Sequence, residues 1–269
     1  MARLCPAAGA LQRDEAEIDR GAAADRGAGA AHRGGDARRP HPDPRGDSPW
    51  PAGAQGIVIE HLRAYTPFIA DLHATYARIT AFNTQLLRWQ KVQNLVSRET
   101  PGDLWTRHIL DSLQLLPLIG PNDAPLRVLD IGSGGGFPAL PLAIALKSRP
   151  VSFQLIESNA RKCAFLRAMA REFDLPVTVH TTRIEAVDPQ TIGAVDLFTS
   201  RALAPLPLLF SYLCRFWGAD SRALLHKGRE NGEELKTADS AWLYDVLRLP
   251  STTDPDGVIL DIRNLRRRA

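Results

Sequence analysis

A glycine-rich segment near the middle of the chain follows a short apolar run that contains a carboxylate. The segment reads Val128-Leu129-Asp130-Ile131-Gly132-Ser133-Gly134-Gly135-Gly136-Phe137-Pro138. Because glycine has no Cβ, a backbone rich in glycine turns sharply and lets a ligand approach closely. In open α/β sheets, nucleotides bind at such a loop, at the carboxyl ends of the strands. The segment therefore predicts a site for a nucleotide or a nucleoside.

The spacing of the glycines separates this loop from other nucleotide-binding loops. A dinucleotide fingerprint that starts at Gly132 needs its third glycine at position 137, where the chain has Phe137. A P-loop needs a lysine followed by serine or threonine, and none follows. Ser133 lacks the Gly-x-Ser-x-Gly context of a hydrolase nucleophile. The remaining pattern, Asp-x-Gly-x-Gly-x-Gly, resembles the loop of methyltransferases that use S-adenosyl-L-methionine.

A second carboxylate, Glu157, ends the next apolar run, 27 residues after Asp130. A carboxylate at the end of the second strand of such a sheet can accept hydrogen bonds from the ribose hydroxyls of a nucleoside. An acid at this position can also simply begin a helix, where the helix dipole favours it. Because the glycine loop precedes it, we favour the ribose contact.

Histidine and cysteine show no catalytic or metal-binding pattern. The seven histidines include no His-x-x-x-His pair, and His108 is interpreted as a packing residue of a helix. The three cysteines (Cys5, Cys163, Cys214) lie far apart, which is typical of a reducing cytosol. Apolar stretches end well before the ~18 residues of a membrane span, and the amino terminus lacks a secretory pattern. We expect a cytoplasmic protein without a metal ion.

Charge alone does not identify a partner. The net charge is +3, and 28 of the 33 basic residues are arginine. Arginine suits phosphate and base recognition, but a GC-rich genome produces the same bias, so both explanations stay open. The densest basic cluster lies at the carboxyl end and is interpreted as either a solvated tail or a grip on RNA. It consists of Arg263, Arg266, Arg267 and Arg268.

Helical and strand patterns occupy different parts of the chain. From residue 57 to 120, apolar side chains recur every three or four positions, which predicts a helical subdomain. One of its helices is predicted to begin at Thr100-Pro101-Gly102-Asp103. From residue 121 to 269, strand-length apolar runs alternate with helical patterns, which predicts a mostly parallel sheet covered on both faces. The runs are 127–131, 152–156, 177–181, 195–199, 223–226, 244–249 and 258–262.

Residues 1–56 differ in composition from everything that follows. Alanine, glycine and proline make up 29 of these 56 residues. Such a segment buries too little surface to offset its conformational entropy, so we predict a disordered extension. Its 8 arginines are balanced by 8 acidic residues, which argues against a basic nucleic-acid arm. A further hypothesis places this extension upstream of the true start of translation.

A series of short motifs makes the chain similar to a known family. They are 87–95, 107–112, 132–138, 161–167, 182–185, 199–202 and 227–228. In this order and spacing they resemble the RsmG (GidB) family of bacterial methyltransferases over roughly residues 57–265. Methyltransferases in general share only the glycine loop and the acid at the strand end, so the whole series is specific. The family does not account for residues 1–56.

The resemblance implies a fold, a reaction and a partner. The fold is α/β, a Rossmann-like class I methyltransferase fold with a mostly parallel seven-stranded sheet and an N-terminal helical cap. The implied cofactor is S-adenosyl-L-methionine. The implied substrate is the N7 atom of a guanine in 16S rRNA, as free RNA or within the assembling small ribosomal subunit. A monomer without membrane attachment is expected.

The resemblance also assigns residues to a cofactor pocket. They are Gly132, Gly134, Phe137, Glu157, Ile184, Glu185 and Arg201. The first three line the pocket from the loop, and Glu157 meets the ribose. The pair at 184–185 meets the adenine. Arg201 contacts the cofactor, for example by pairing with the carboxylate of its methionine part. No catalytic acid or base is expected, because guanine N7 keeps a free lone pair at neutral pH.

Three other functions remain open from the sequence. A methyltransferase of a small molecule or a protein shares the glycine loop but leaves the motifs at 107–112 and 200–201 unexplained. A non-catalytic RNA-binding module would be expected to have a damaged glycine loop or Glu157, and neither is damaged. A nicotinamide oxidoreductase is disfavoured by the missing third glycine.

Overall fold

A computed structural model describes residues 54–96, 104–121 and 123–268. The predictions for residues 1–53 and for a helix start at 100–103 lie outside these residues. Seven strands form one sheet: β1 (Leu126–Ile131), β2 (Val151–Glu157), β3 (Val177–Thr181), β4 (Leu197–Arg201), β5 (Arg222–Lys227), β6 (Trp242–Pro250) and β7 (Val258–Arg267). All seven predicted runs are strands, and their ends differ by at most two residues except at the end of β7.

The strand order is β3-β2-β1-β4-β5-β7-β6. Strands β1 to β5 pair in parallel, whereas β7 is antiparallel to both β5 and β6. Parallel neighbours need long crossover connections, and the helices between them cover both faces of the sheet. The predicted α/β fold, a Rossmann-like class I methyltransferase fold with a mostly parallel seven-stranded sheet, is confirmed.

The carboxyl-terminal arginine cluster belongs to a β-hairpin and is not a free tail. Arg263, Arg266 and Arg267 lie in β7, and their side chains are exposed. The guanidinium of Arg267 lies 5.9 Å from the ring centre of Trp242 in the neighbouring strand β6. Pairing with β6 uses backbone groups, so the outer half of β7 needs no apolar run, and the sequence pattern therefore missed it.

The described residues contain two short 3-10 helices, Thr66–Phe68 and Ile184–Ala186, and nine α- or π-helices. The nine are α1 (Ala54–Arg63), α2 (Leu72–Gln90), α3 (π-helical over Trp105–Leu110 and α-helical over Asp111–Leu113), α4 (Leu116–Ile119), α5 (Ala139–Ala145), α6 (Ala160–Glu172), α7 (Pro189–Ile192), α8 (Leu206–Cys214) and α9 (Asn231–Asp239). Helix α1 begins three residues before the predicted domain boundary at residue 57. Within the described ranges, no helix is long and apolar enough to cross a bilayer.

The N-terminal helices share one hydrophobic core with the sheet. Ile79, Phe82 and Leu86 follow helical spacing on α2 and are fully buried. The ring of Phe82 lies 5.9 Å from that of Phe137 in the glycine loop and 6.3 Å from that of Phe165 in α6. This packing brings α2 and the segments that follow it against the loop after β1.

Candidate active site

A cavity of about 1170 Å³ opens at the carboxyl ends of the parallel strands. All seven residues expected at the cofactor pocket line this one cavity. Its β1–β2 side is formed by Gly132, Gly134, Glu157, Ile184 and Glu185. Its β4–β5 side is formed by Asp111, Arg201, His226, Lys227 and Thr253. The volume exceeds the ~300–1,000 Å³ usual for one small ligand.

The glycine loop begins with backbone that only glycine adopts easily. Gly132 and Gly134 have φ angles of +71° and +53°, a region that is costly for residues with a Cβ. A Cβ built on Gly134 would have no protein atom nearer than 3.8 Å, so a side chain there would extend into open space. Glycine at this position therefore keeps the face of the loop free for a ligand.

Gly135 is needed for a different reason, a close contact with the turn that follows α2. A Cβ on Gly135 would lie 2.8 Å from the carbonyl oxygen of Leu95. The side chain of Gln90 fixes this turn, since its Oε1 accepts hydrogen bonds from the amides of Leu95 (2.8 Å) and Val96 (3.2 Å). Its Nε2 donates to the carbonyl of Val96 at 2.8 Å. The N-terminal helices thus support the glycine loop through backbone contact.

Glu157 is held by two backbone amides at the end of β2. Its Oε2 accepts a 2.9 Å hydrogen bond from Gly134, and its Oε1 accepts one of 2.7 Å from Asn159. Each carboxylate oxygen keeps a further lone pair for a ligand hydroxyl. The cap of α6 is Asn159, whose side chain accepts from the amides of Arg161 and Lys162. The helix-start role is therefore filled by Asn159, and this geometry favours the ribose contact for Glu157.

Asp130 lies beneath the glycine loop and is 1% exposed. Its Oδ1 accepts a 2.6 Å hydrogen bond from the hydroxyl of Thr199, and its Oδ2 has no hydrogen-bond partner among the described residues. Burial raises the pKa of Asp130 to about 6. The residue joins β1 to β4 under the cavity floor.

Ile184 and Glu185 lie in a 3-10 turn, Ile184–Ala186, that follows β3. Ile184 is buried, and Glu185 Oε1 accepts a 2.8 Å hydrogen bond from the hydroxyl of Tyr212. A hydrogen bond from its own backbone amide and the Tyr212 hydroxyl lower the pKa of Glu185, so it is ionised at neutral pH. An apolar side chain beside an acceptor is suited to a ring with an exocyclic amine, such as adenine.

Phe137 lines the cavity although the residue is only 4% exposed. One neighbour of its ring is the imidazole of His108, stacked at 5.0 Å. The guanidinium of Arg201 lies 5.0 Å from the same ring centre. The packing interpretation of His108 agrees with this arrangement. The ring of Phe137 therefore orders the cavity wall.

Arg201, at the end of β4, meets a carboxylate that the sequence reasoning did not select. Its Nη1 lies 3.2 Å from Asp111 Oδ2 and donates a 2.9 Å hydrogen bond to the carbonyl of Arg107. Only 18% of the Arg201 side chain is exposed. Arg201 is thus held at the cavity wall by α3.

Asp111 is the centre of a buried polar network. Its Oδ1 accepts hydrogen bonds from Gln114 Nε2 (2.7 Å) and from the hydroxyl of Thr253 (2.8 Å) in the loop between β6 and β7. Its carbonyl oxygen accepts a 2.8 Å bond from His226 Nε2. Burial lowers the pKa of His226, so its imidazole is neutral. The only sequence signal for Asp111 was its position in the motif at 107–112.

The β1–β2 side fits S-adenosyl-L-methionine. Its open glycine face, the ordered carboxylate of Glu157 and the apolar and acidic pair at 184–185 offer free space, an acceptor for hydroxyl groups and a surface for a flat ring, which are the features that this cofactor needs. Across the described ranges, no three His, Cys, Asp or Glu side chains come together as a metal site would require.

Comparison with known proteins identifies the family. The family model GidB, rRNA small subunit methyltransferase G, matches residues 75–257. The ribosomal RNA small subunit methyltransferase G of Parvibaculum lavamentivorans is 44% identical over 214 residues, which cover 79% of this chain and 92% of the relative. The protein of that name from Bartonella tribocorum is 42% identical over 193 residues, which cover 71% and 89%.

Among solved structures, an O-methyltransferase from Bacillus cereus is similar with a TM-score of 0.48 and 15% identity, over 68% of this chain and 91% of that one. The family assignment rests on the sequence matches, which are long and span most of each relative. The chain belongs to the GidB family, rRNA small subunit methyltransferase G, and is an S-adenosyl-L-methionine-dependent methyltransferase.

Proposed function

We propose that the chain methylates N7 of one guanine in the 16S rRNA of the small ribosomal subunit, as a cytoplasmic monomer that needs no metal ion. The observation that carries this proposal is the cavity of about 1170 Å³, whose two sides suit two different ligands. Family membership supports the RNA substrate, since the relatives are named for the RNA of the small subunit.

In this proposal the β1–β2 side binds the cofactor. Glu157 accepts hydrogen bonds from the ribose, and the pair Ile184–Glu185 holds the adenine. Gly134 lets the cofactor approach the loop, and Gly132 and Phe137 line the pocket on either side of it. Arg201, which lines the cavity, attracts the carboxylate of the methionine part.

Methyl transfer to this atom requires the protein to position the two reactants, and it does not require the protein to transfer a proton. S-adenosyl-L-methionine supplies a methyl group activated by a sulfonium. Guanine N7 keeps a free lone pair at neutral pH, so no proton has to leave before it attacks and no side chain has to act as a base. Holding the reacting atoms in line and at contact distance contributes ~7–11 kcal/mol to catalysis. The rigid loop and the network around Asp111 provide that alignment.

The charges of the β4–β5 side suit a base that becomes cationic during the transfer. Arg201 is paired with Asp111, and Lys227 Nζ lies 2.6 Å from Glu234 Oε2. Both of these cations are therefore compensated by a carboxylate, which reduces their repulsion of the developing charge on guanine. This pairing favours a neutral nucleophile over an anionic one, which an uncompensated cation would serve better.

The proposal is tested by following labelled methyl groups from S-adenosyl-L-methionine. The substrates are small subunits and 16S rRNA from cells that lack the modification. We expect label in one guanosine, recovered as 7-methylguanosine by mass spectrometry. A folded protein that binds the cofactor but labels neither RNA nor subunits would overturn the RNA substrate. Label on another atom of the base would overturn the N7 assignment. The molar mass in solution, measured by light scattering, tests whether the protein is a monomer.

A further inference from the structure

A second cavity of about 370 Å³ lies beside the first, between the turn that follows α2 and the start of α6. We call it the basic groove. It is lined by Gln90, Lys91, Val92, Gln93, Asn94, Asn159, Arg161 and Lys162. The lining contains three cations, four amides and one apolar side chain, and it contains no carboxylate.

The cations of the basic groove differ from the other lysines of the chain in lacking ion pairs. Three of the five lysines pair with carboxylates, as Lys147–Asp174, Lys227–Glu234 and Lys236–Glu233. The other two, Lys91 and Lys162, both lie in the basic groove. Within the described ranges, neither they nor Arg161 has an ion pair. Three uncompensated positive charges around one groove attract a polyanion.

The remaining lining suits a chain of nucleotides better than a small anion. Val92 is 77% exposed, the most of any large apolar residue in the described part of the chain. Its neighbours in the groove are amides, which can both donate and accept hydrogen bonds. Phosphate binding needs only the cations, whereas sugars and bases also use amide and apolar contacts.

The basic groove is joined to the active-site cavity by Lys162, which lines both. Its Nζ lies 4.0 Å from the point where a Cβ on Gly134 would stand. On the other side of the groove, Gln90 holds the turn whose Leu95 contacts Gly135. A strand with one nucleotide in the active site therefore has a short path to the groove.

We propose that the basic groove binds the sugar–phosphate backbone of the substrate RNA next to the target nucleotide. This inference rests on the proposed function and adds to it a surface that binds the RNA outside the active-site cavity. Lys91 and Arg161 face phosphates, and Val92 contacts a sugar or a base. The groove raises affinity for RNA without touching the methyl group.

The test is the double variant Lys91→Ala/Arg161→Ala, measured on unmodified 16S rRNA and small subunits. We expect KM for RNA to rise about tenfold and the salt dependence of RNA binding to weaken by about 1.4 units of slope, at ~0.7 per lost phosphate contact. The kcat and the Kd for S-adenosyl-L-methionine stay unchanged. Lys162 is left in place because it also lines the cofactor cavity.

A matched control removes two charges elsewhere. Arg171→Ala/Lys236→Ala changes the far end of α6 and an exposed position of α9, and we expect wild-type KM and salt slope. The conservative variant Lys91→Arg/Arg161→Lys keeps the charges and should behave like wild type.

An equal KM for RNA and an equal salt slope in the groove variant and the control would overturn the proposal that the basic groove binds RNA. A defect on subunits without any loss of binding to free 16S rRNA would also overturn it, since a ribosomal protein would then be the partner. Failure of the proposed function looks different, because the wild-type protein itself would then transfer no methyl group to RNA.

Discussion

On the β1–β2 side of the cavity, a ligand would meet glycine backbone and two carboxylates, Glu157, which backbone amides hold, and Glu185, which accepts from the hydroxyl of Tyr212. On the β4–β5 side it meets charged side chains that hold one another across long stretches of chain, as Arg201 and Asp111 do over 90 residues. The first side depends on local conformation and the second on tertiary packing. Substitutions on the two sides should therefore fail in different ways, by loss of ligand on one and by loss of stability on the other.

The largest effect is expected from Asp111→Ala, on stability. It leaves the buried guanidinium of Arg201 without its carboxylate, and removing one partner of a buried pair costs ~3–5 kcal/mol of unfolding free energy. Urea denaturation measures this loss. The control Glu233→Ala removes an exposed partner of Lys236 and should cost less than ~1 kcal/mol.

A double-mutant cycle sharpens this prediction. Asp111→Ala/Arg201→Ala should be less destabilised than the sum of the two single variants, because no uncompensated charge remains. Strict additivity would contradict the role of the pair.

Asp130, which joins β1 to β4 beneath the cavity, gives a pH-dependent prediction for stability. Its pKa is raised from 3.8 to about 6 in the folded protein, so folding favours the protonated form. The stability it contributes is fully present below pH 3.8 and is lost as the pH rises through about 6. At ~1.4 kcal/mol per pKa unit, this loss is about 3 kcal/mol. Urea denaturation from pH 4 to 7 should show this loss of stability in the wild type and not in Asp130→Asn. If the unfolding free energies of the two proteins changed in parallel with pH, the prediction would be refuted.

Gly134→Val tests the β1–β2 side directly. Valine is strained at a φ of +53°, and its methyl groups extend into the space that the loop leaves open. We expect the Kd for S-adenosyl-L-methionine to rise on the order of 100-fold, about 2.7 kcal/mol, in calorimetric titration. Gly193→Val is the matched control, since Gly193 has a φ of +74° and no atoms near its Cβ position. It should lose stability while cofactor affinity stays normal, and equal losses of affinity would contradict the assignment.

The smallest of these effects is expected from Glu157→Ala. It removes a charged acceptor for the ribose and the partner of the Gly134 amide, which should weaken cofactor binding by ~1–3 kcal/mol. The same titration measures this change, and stability should change less than in Asp111→Ala. Unchanged affinity would remove Glu157 from the cofactor site.

The comparison of the two sides also explains what could be read from the sequence. The glycine loop and Glu157 are recognisable because the loop directly follows β1 and Glu157 ends β2, and both strands are visible as apolar runs in the sequence. Asp111 gave no such signal, because its partners Arg201, His226 and Thr253 lie 90, 115 and 142 residues away. The outer half of β7 was missed since backbone pairing leaves no apolar pattern.

The turn fixed by Gln90 has one more consequence. The same seven residues, 90–96, carry part of the basic groove and touch the glycine loop through Leu95. A ligand that shifts this turn changes the affinity of the loop for cofactor, and thermodynamic reciprocity requires the cofactor to change the affinity of that ligand by the same factor. The turn is thus the physical link through which a ligand of the basic groove and the cofactor would affect each other's binding.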